Sequence, residues 1–102
     1  MNASLFETVN LLSGQQAPFT GEWQSIANGR NVLFSTYSSG SGSITLQYKN
    51  PFFNNDEGIP FYTFSGLQTG YSAPAFSTSP MNEVRAISAG SGQFWTAVTI
   101  QN

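Results

Sequence analysis

The chain contains no cysteine and no histidine, and these two absences remove most familiar site chemistry before any pattern is read. Disulfides and thiolate metal sites are excluded, and cysteine usage leaves no mark of a redox compartment. Nucleophilic catalysis of the Ser-His-Asp or Cys-His kind lacks its base. Charge is scarce as well: 8% of residues are Asp, Glu, Lys or Arg, about a third of the usual share of roughly 25%. They are Glu7, Glu22, Arg30, Lys49, Asp56, Glu57, Glu83 and Arg85, and the net charge is −2. The 3 basic residues cannot line a groove that displaces counterions from phosphates, so nucleic acid is not an expected partner. No apolar run approaches the ~18 residues of a membrane span, so no membrane partner is expected either. Met1 to Gly14 has no basic n-region and carries Glu7 inside its apolar stretch, so it does not read as a signal peptide. The expectation is a chain made in a cytoplasm that stays there or leaves inside something larger. Helical periodicity is missing too: no window of eleven or more residues keeps a helical period without a Gly or Pro breaking it.

What remains is aromatic and polar. The sequence has 9 Phe, 4 Tyr and 2 Trp in 102 residues, with an apolar fraction of 39%. That suffices for one aromatic-rich core in one domain, spanning residues 1–102 with 1–14 as an extended arm or edge strand. With so little charge, the surface must consist of Ser, Thr, Asn, Gln and backbone. Such a surface suits a subunit that packs against neighbours better than a free monomer, which relies on charge for solubility.

Strand signals recur at short intervals between Gly, Asn, Ser and Pro. Leu5 to Leu12 places Leu5, Val9 and Leu11 on one face, and Phe19 to Ile26 is a weaker run around Trp23. Asn28-Gly29 marks a turn, because both residues tolerate positive φ. Val32 to Tyr37 follows. Ser38 to Ser43 reads as a hairpin tip rather than a linker. Ile44 to Tyr48 is the cleanest strand, with Ile44, Leu46 and Tyr48 facing one way and Thr45 and Gln47 the other. Beyond Pro51 and the Asn54–Gly58 cluster come Phe61 to Phe64, a looser Gly70 to Phe76 broken by Pro74, and Glu83 to Ser88 with Val84 and Ala86 inward. Ala89 to Gln93 repeats the hairpin chemistry before Phe94 to Ile100, where Phe94, Val98 and Ile100 stand in step. Seven to eight short strands predict an all-β antiparallel sandwich, jelly-roll or immunoglobulin-like.

The search for chemistry yields little. Asp56 and Glu57 are adjacent, which points their side chains apart in extended backbone, whereas paired-carboxylate catalysis holds two acids across a substrate. Asn54–Gly58 lacks the alternating acids and distal Glu of a calcium loop and reads as a polar turn. Neither Gly-Ser-Gly stretch leads into Lys-Ser/Thr and a helix, as a phosphate cradle would. No catalytic residue, metal site or cofactor is expected. Glu83 and Arg85, two apart on a strand, share a face, where an ion pair is worth at most ~1 kcal/mol. The remaining signal is aromatic: Phe52, Phe53, Phe61, Tyr62, Phe64, Tyr71 and Phe76 crowd a loop-rich stretch with Pro51, Pro60 and Pro74. Aromatics supply core and interface alike. The candidate protein-interface residues are Leu5, Phe6, Phe52, Phe53, Phe61, Tyr62, Tyr71 and Phe76, while Trp23 and Trp95 are expected in the core.

The order of segments is also familiar: Leu11-Leu12-Ser13-Gly14, Val32-Leu33-Phe34, Gly42-Ser43-Ile44-Thr45-Leu46-Gln47-Tyr48, Glu83-Val84-Arg85-Ala86 and Ala97-Val98-Thr99-Ile100. It resembles the small β-sandwich structural proteins of tailed bacteriophages, over nearly the full chain. It departs from them where Asn50-Pro51-Phe52-Phe53 replaces a tight turn after the Leu-Gln strand. The resemblance implies a non-catalytic virion component, foremost a capsid decoration (cement) protein that binds the outer surface of the head and stabilises it. Its partners would then be the major capsid protein and copies of itself, as a trimer by analogy with that class, and its location the virion. The alternative is a tail- or fibre-associated module that binds a host-surface glycan.

Overall fold

The computed structural model describes residues 6–26, 31–49, 58–68, 70–78 and 83–101. Nine strand segments fill them: β1 (Phe6–Gln16), β2 (Phe19–Thr20), β3 (Gln24–Ser25), β4 (Asn31–Ser38), β5 (Ser41–Lys49), β6 (Ile59–Leu67), β7 (Gly70–Thr78), β8 (Glu83–Ser91) and β9 (Gln93–Gln101). One sheet runs β1-β9-β4-β7, the other β2-β8-β5-β6 with β3 also on β8, and every pairing is antiparallel. Because β2 and β3 both lie along β8, they act as one broken strand. The pairing is then first with last, second with second-last, and so inward: β1 with β9, β2 and β3 with β8, β4 with β7, β5 with β6. A long antiparallel ribbon folded over on itself gives this order, and it is the jelly roll. Of the two sandwiches the sequence allows, the immunoglobulin-like one is excluded by the strand order.

The core follows from alternation. On β4, Val32, Phe34, Thr36 and Ser38 are buried; on β9, Phe94, Thr96, Val98 and Ile100; on β5, Ile44 and Leu46; on β8, Val84, Ala86 and Ser88. These inner rows meet between the sheets with Leu11, Leu12, Ile26, Phe64 and Leu67, and Val9, Ala17, Tyr48 and Phe61 pack against them. β1 departs from the expected alternation. Its register slips between Asn10 and Leu12 and again between Ser13 and Gln15, so Leu11 and Leu12 are both buried although adjacent. Pro60 and Pro74 lie in the edge strands β6 and β7. Pro74 falls where β7 slips against β4, between the partners of Phe34 and Thr36. An edge or a bulge is where proline's missing donor is tolerated.

The two Gly-Ser stretches are not hairpin tips, as the sequence had led us to expect. β4 and β5 belong to different sheets, and so do β8 and β9. Ser39–Gly40 and Gly92 are therefore corners that carry the chain from one layer to the other. The corners lie side by side: Ser41 registers with Ser91 and Gly42 with Gly90. The Ser39 amide donates to Gln93 O at 2.9 Å, and the Ala17 amide to Gly92 O at 2.9 Å, bringing the β1–β2 connection to the same end. A Cβ on Gly40 would strike Ser91 O, and one on Gly42 would strike Ala89 O. Glycine is thus required there for backbone-to-backbone approach rather than for a tight turn. Ser38 Oγ, buried at the corner, donates to Gln68 O at 2.8 Å and ties β4 to the end of β6.

Among the described residues, two buried hydroxyls have no hydrogen-bond partner: Thr36 Oγ1 and Thr96 Oγ1, on residues that are register partners across β4 and β9. Thr36→Val and Thr96→Val each keep the branched shape and remove a desolvated hydroxyl. Each is expected to raise the unfolding free energy by about 1 kcal/mol. The check is a higher urea midpoint with unchanged slope. A lower midpoint for both would contradict the inference.

Candidate functional site

The predicted interface residues scatter. Leu5, Phe52 and Phe53 lie outside the described residues. Phe6 holds a backbone position in β1, registered with Gln101, and Tyr71 and Phe76 hold positions in β7, registered with Tyr37 and Leu33. Phe61 belongs with the core, its ring 5.7 Å from Phe34 and 5.9 Å from Tyr48. Tyr62 is 45% exposed on edge strand β6, edge-on to Phe64 at 4.9 Å. The other exposed large hydrophobic residue among those described is Phe19, at 37%, on the opposite edge of the same sheet.

Neither tryptophan is a core residue, contrary to the expectation. With Phe94, Thr96 and Val98 inward, a period of two sends Trp95 outward, and it is half-buried on the outer face of the four-stranded sheet. The same rule turns Tyr37 out between Thr36 and Ser38. Tyr37 and Trp95 are register partners, and their rings meet 5.3 Å apart at 53°. The outward position of each ring was legible in the alternation itself. The usual burial of tryptophan points the other way, and here alternation prevails.

Beside the ring pair, the same outer face is made of small residues. Asn10 of β1 registers with Ala97 of β9, which registers with Ser35 of β4. Ser13 registers with Trp95. These six side chains border an open groove of about 430 Å³. None of them is an Asp, Glu, Lys, Arg or His.

The outer face of the second sheet carries a different cluster. Trp23, between β2 and β3, lies under two of the chain's 3 cations: Arg85 stands 4.4 Å from the ring centre and Lys49 5.4 Å. Arg85 Nε also donates to Gln47 Oε1 at 2.8 Å. Cations over an indole contribute about 0.5–2 kcal/mol depending on desolvation. The cluster pins the broken edge strand to β8 and β5, as does the Gly21 amide donating to Ala86 O at 2.9 Å. Arg85 thus reaches across the sheet on the outer face that the sequence assigned it. No group of three or more carboxylates able to hold a metal occurs among the described residues.

Fold and surface together define a small jelly-roll module with charge-poor edges and one neutral aromatic groove. No family model matches the chain, and no curated protein does. Among solved structures it is similar to the SPBc2 prophage-derived protein YomS, with a TM-score of 0.63 at 11% identity, covering 100% of this chain and 99% of that one. It is also similar to a chain from Bacillus endospore appendages, described as disulfide-linked pili, with a TM-score of 0.47 at 13% identity over 98% and 91% of the two chains. The first likeness establishes a shared fold along the whole length.

Proposed function

We propose that the chain is a non-catalytic structural subunit of a bacteriophage particle, a decoration or cement protein that binds the outer surface of the head and stabilises it. The observation that carries this reading is the state of the sheet edges. The edge segments β1, β2, β3, β6 and β7 contain one charged residue between them, Glu7. Soluble proteins blunt exposed edges with charge, because unpaired strand groups otherwise recruit another chain. Here, among the described residues, Glu7, two prolines and register slips do so, and Phe19 and Tyr62 stand exposed at opposite edges of one sheet. Edges of that kind suit a subunit that is covered on assembly, with the major capsid protein and further copies of itself as partners. The end-to-end likeness to a prophage-derived protein is the second support.

Quantitative mass spectrometry of purified particles, counting this chain against the major coat protein, tests the proposal. Hundreds of copies per particle are expected on the order of those of a shell component. A few copies would move the protein to the portal or tail, and none would overturn the virion reading.

A further inference from the structure

The groove on the outer face of the four-stranded sheet has the composition of a saccharide site. Trp95 is held there by its neighbours. A Cβ placed on Gly14 would lie 2.9 Å from both Cε2 and Nε1 of Trp95 and 3.0 Å from Cζ2. These three consecutive atoms form one side of the indole, so Gly14 packs closely against that side of the ring system. Gly14 has φ +90°, at a register slip of β1, so the glycine supplies both the bend and the space. The indole is thus packed against the edge strand β1, with Tyr37 beside it at 5.3 Å. Next to this platform the floor drops to Ala97 and Ser35, and Asn10, Ser13 and Ser35 offer one amide and two hydroxyls.

We propose that this groove binds a neutral saccharide, one or two pyranose rings wide. A sugar ring has an apolar face of C–H groups that stacks on an aromatic plane, and a rim of hydroxyls that needs donors and acceptors of neutral polarity. The groove presents both. Its volume of about 430 Å³ lies within the roughly 300–1,000 Å³ of small-ligand sites. The missing ionisable side chains set the class: an anionic sugar or a phosphate finds no counter-charge, and a cation no carboxylate. The inference does not rest on the virion reading, because a neutral sugar site is compatible with a head or a tail location.

The test is a panel of neutral di- and trisaccharides of glucose, galactose and N-acetylglucosamine, with sialyllactose as the charged comparison. Each is titrated into the full chain at up to roughly millimolar concentration and followed by amide chemical shifts. At least one neutral sugar is expected to bind, with shifts centred on Asn10, Ser35 and Ala97. Trp95→Ala is expected to weaken it about tenfold or more. Ser35→Trp, which fills the groove from an exposed position without touching the platform's support, should abolish it while the far-ultraviolet spectrum stays unchanged. No binding by any neutral member, a preference for sialyllactose, shifts on another face, or full affinity in Ser35→Trp would each overturn the proposal.

Discussion

Gly90→Ala is expected to lower the unfolding free energy by roughly 2–6 kcal/mol, a large fraction of what a domain of this size possesses. Two costs combine. Gly90 has φ +115°, a conformation that L side chains rarely adopt. Its Cβ would also run into Ser41 O and stand 2.6 Å from Gly42 Cα. Both neighbours are backbone on the adjoining strand, β5, and neither can rotate away. The matched control is Gly66→Ala. Gly66 has φ +66° and nothing within 4 Å of the added methyl, so it bears the conformational cost alone, roughly 1–2 kcal/mol. Denaturant unfolding of the two variants separates close packing at the corner from the general penalty of removing a glycine. Equal losses would mean that the corners yield, and that the glycines are there for conformation only. The consequence reaches beyond one contact, since the β1–β2, β4–β5 and β8–β9 connections converge at this end through the Ala17–Gly92 and Ser39–Gln93 hydrogen bonds.

These glycines also show where sequence reading stops. The period-two rows of β5, β8 and β9 were legible to the residue, because each strand buries one face and exposes the other. Ile44, Leu46, Val84, Ala86, Phe94, Val98 and Ile100 all stand where alternation puts them. The strand class and approximate count were legible for the same reason. The layer to which each strand belongs was not. A short Gly-Ser link has the same composition whether it closes a hairpin within one sheet or turns a corner between two. The pairing that decides the matter lies far away in sequence, as with β1 on β9. The two slips in β1 were equally hidden: Leu11-Leu12 and Ser13-Gly14 give no local sign that the strand continues through both. The groove was within reach, because Tyr37 and Trp95 each sit at an outward position. Their meeting required knowing that β4 and β9 are neighbours, which only the fold supplies. The crowded aromatics of 52–76 were unreadable for a different reason. Composition left core and interface open for each of them, and the structure separates neighbours: Phe61 packs against the core while Tyr62 stands exposed.

That contrast makes the region around Phe61 the place to test how edge strand β6 is held. Phe34 is fully buried on the four-stranded sheet, and its ring meets Phe61 of the opposite sheet at 5.7 Å. Phe61 in turn meets Tyr48 at 5.9 Å. The ladder Phe34–Phe61–Tyr48 therefore crosses between layers directly behind the strand that displays Tyr62. Phe34→Ala is expected to cost about 3–5 kcal/mol, from lost burial and from the cavity left between two β-sheets that cannot collapse onto it. Phe34→Leu, which keeps most of the volume, should cost less than about 1.5 kcal/mol. A double-mutant cycle of Phe34→Leu with Phe61→Leu then isolates the ring pair, with an expected coupling of about 0.5–1.5 kcal/mol. Hydrogen exchange of the β6 amides around Phe61 should quicken in Phe34→Ala beyond the change in global stability, because β6 is an edge strand and Phe61 anchors the part of it remote from the buried Phe64 and Leu67. Were β6 to open only with the whole domain, the edge would be fixed by its pairing with β5 alone. The ladder would then contribute to the core without governing the surface that Tyr62 presents.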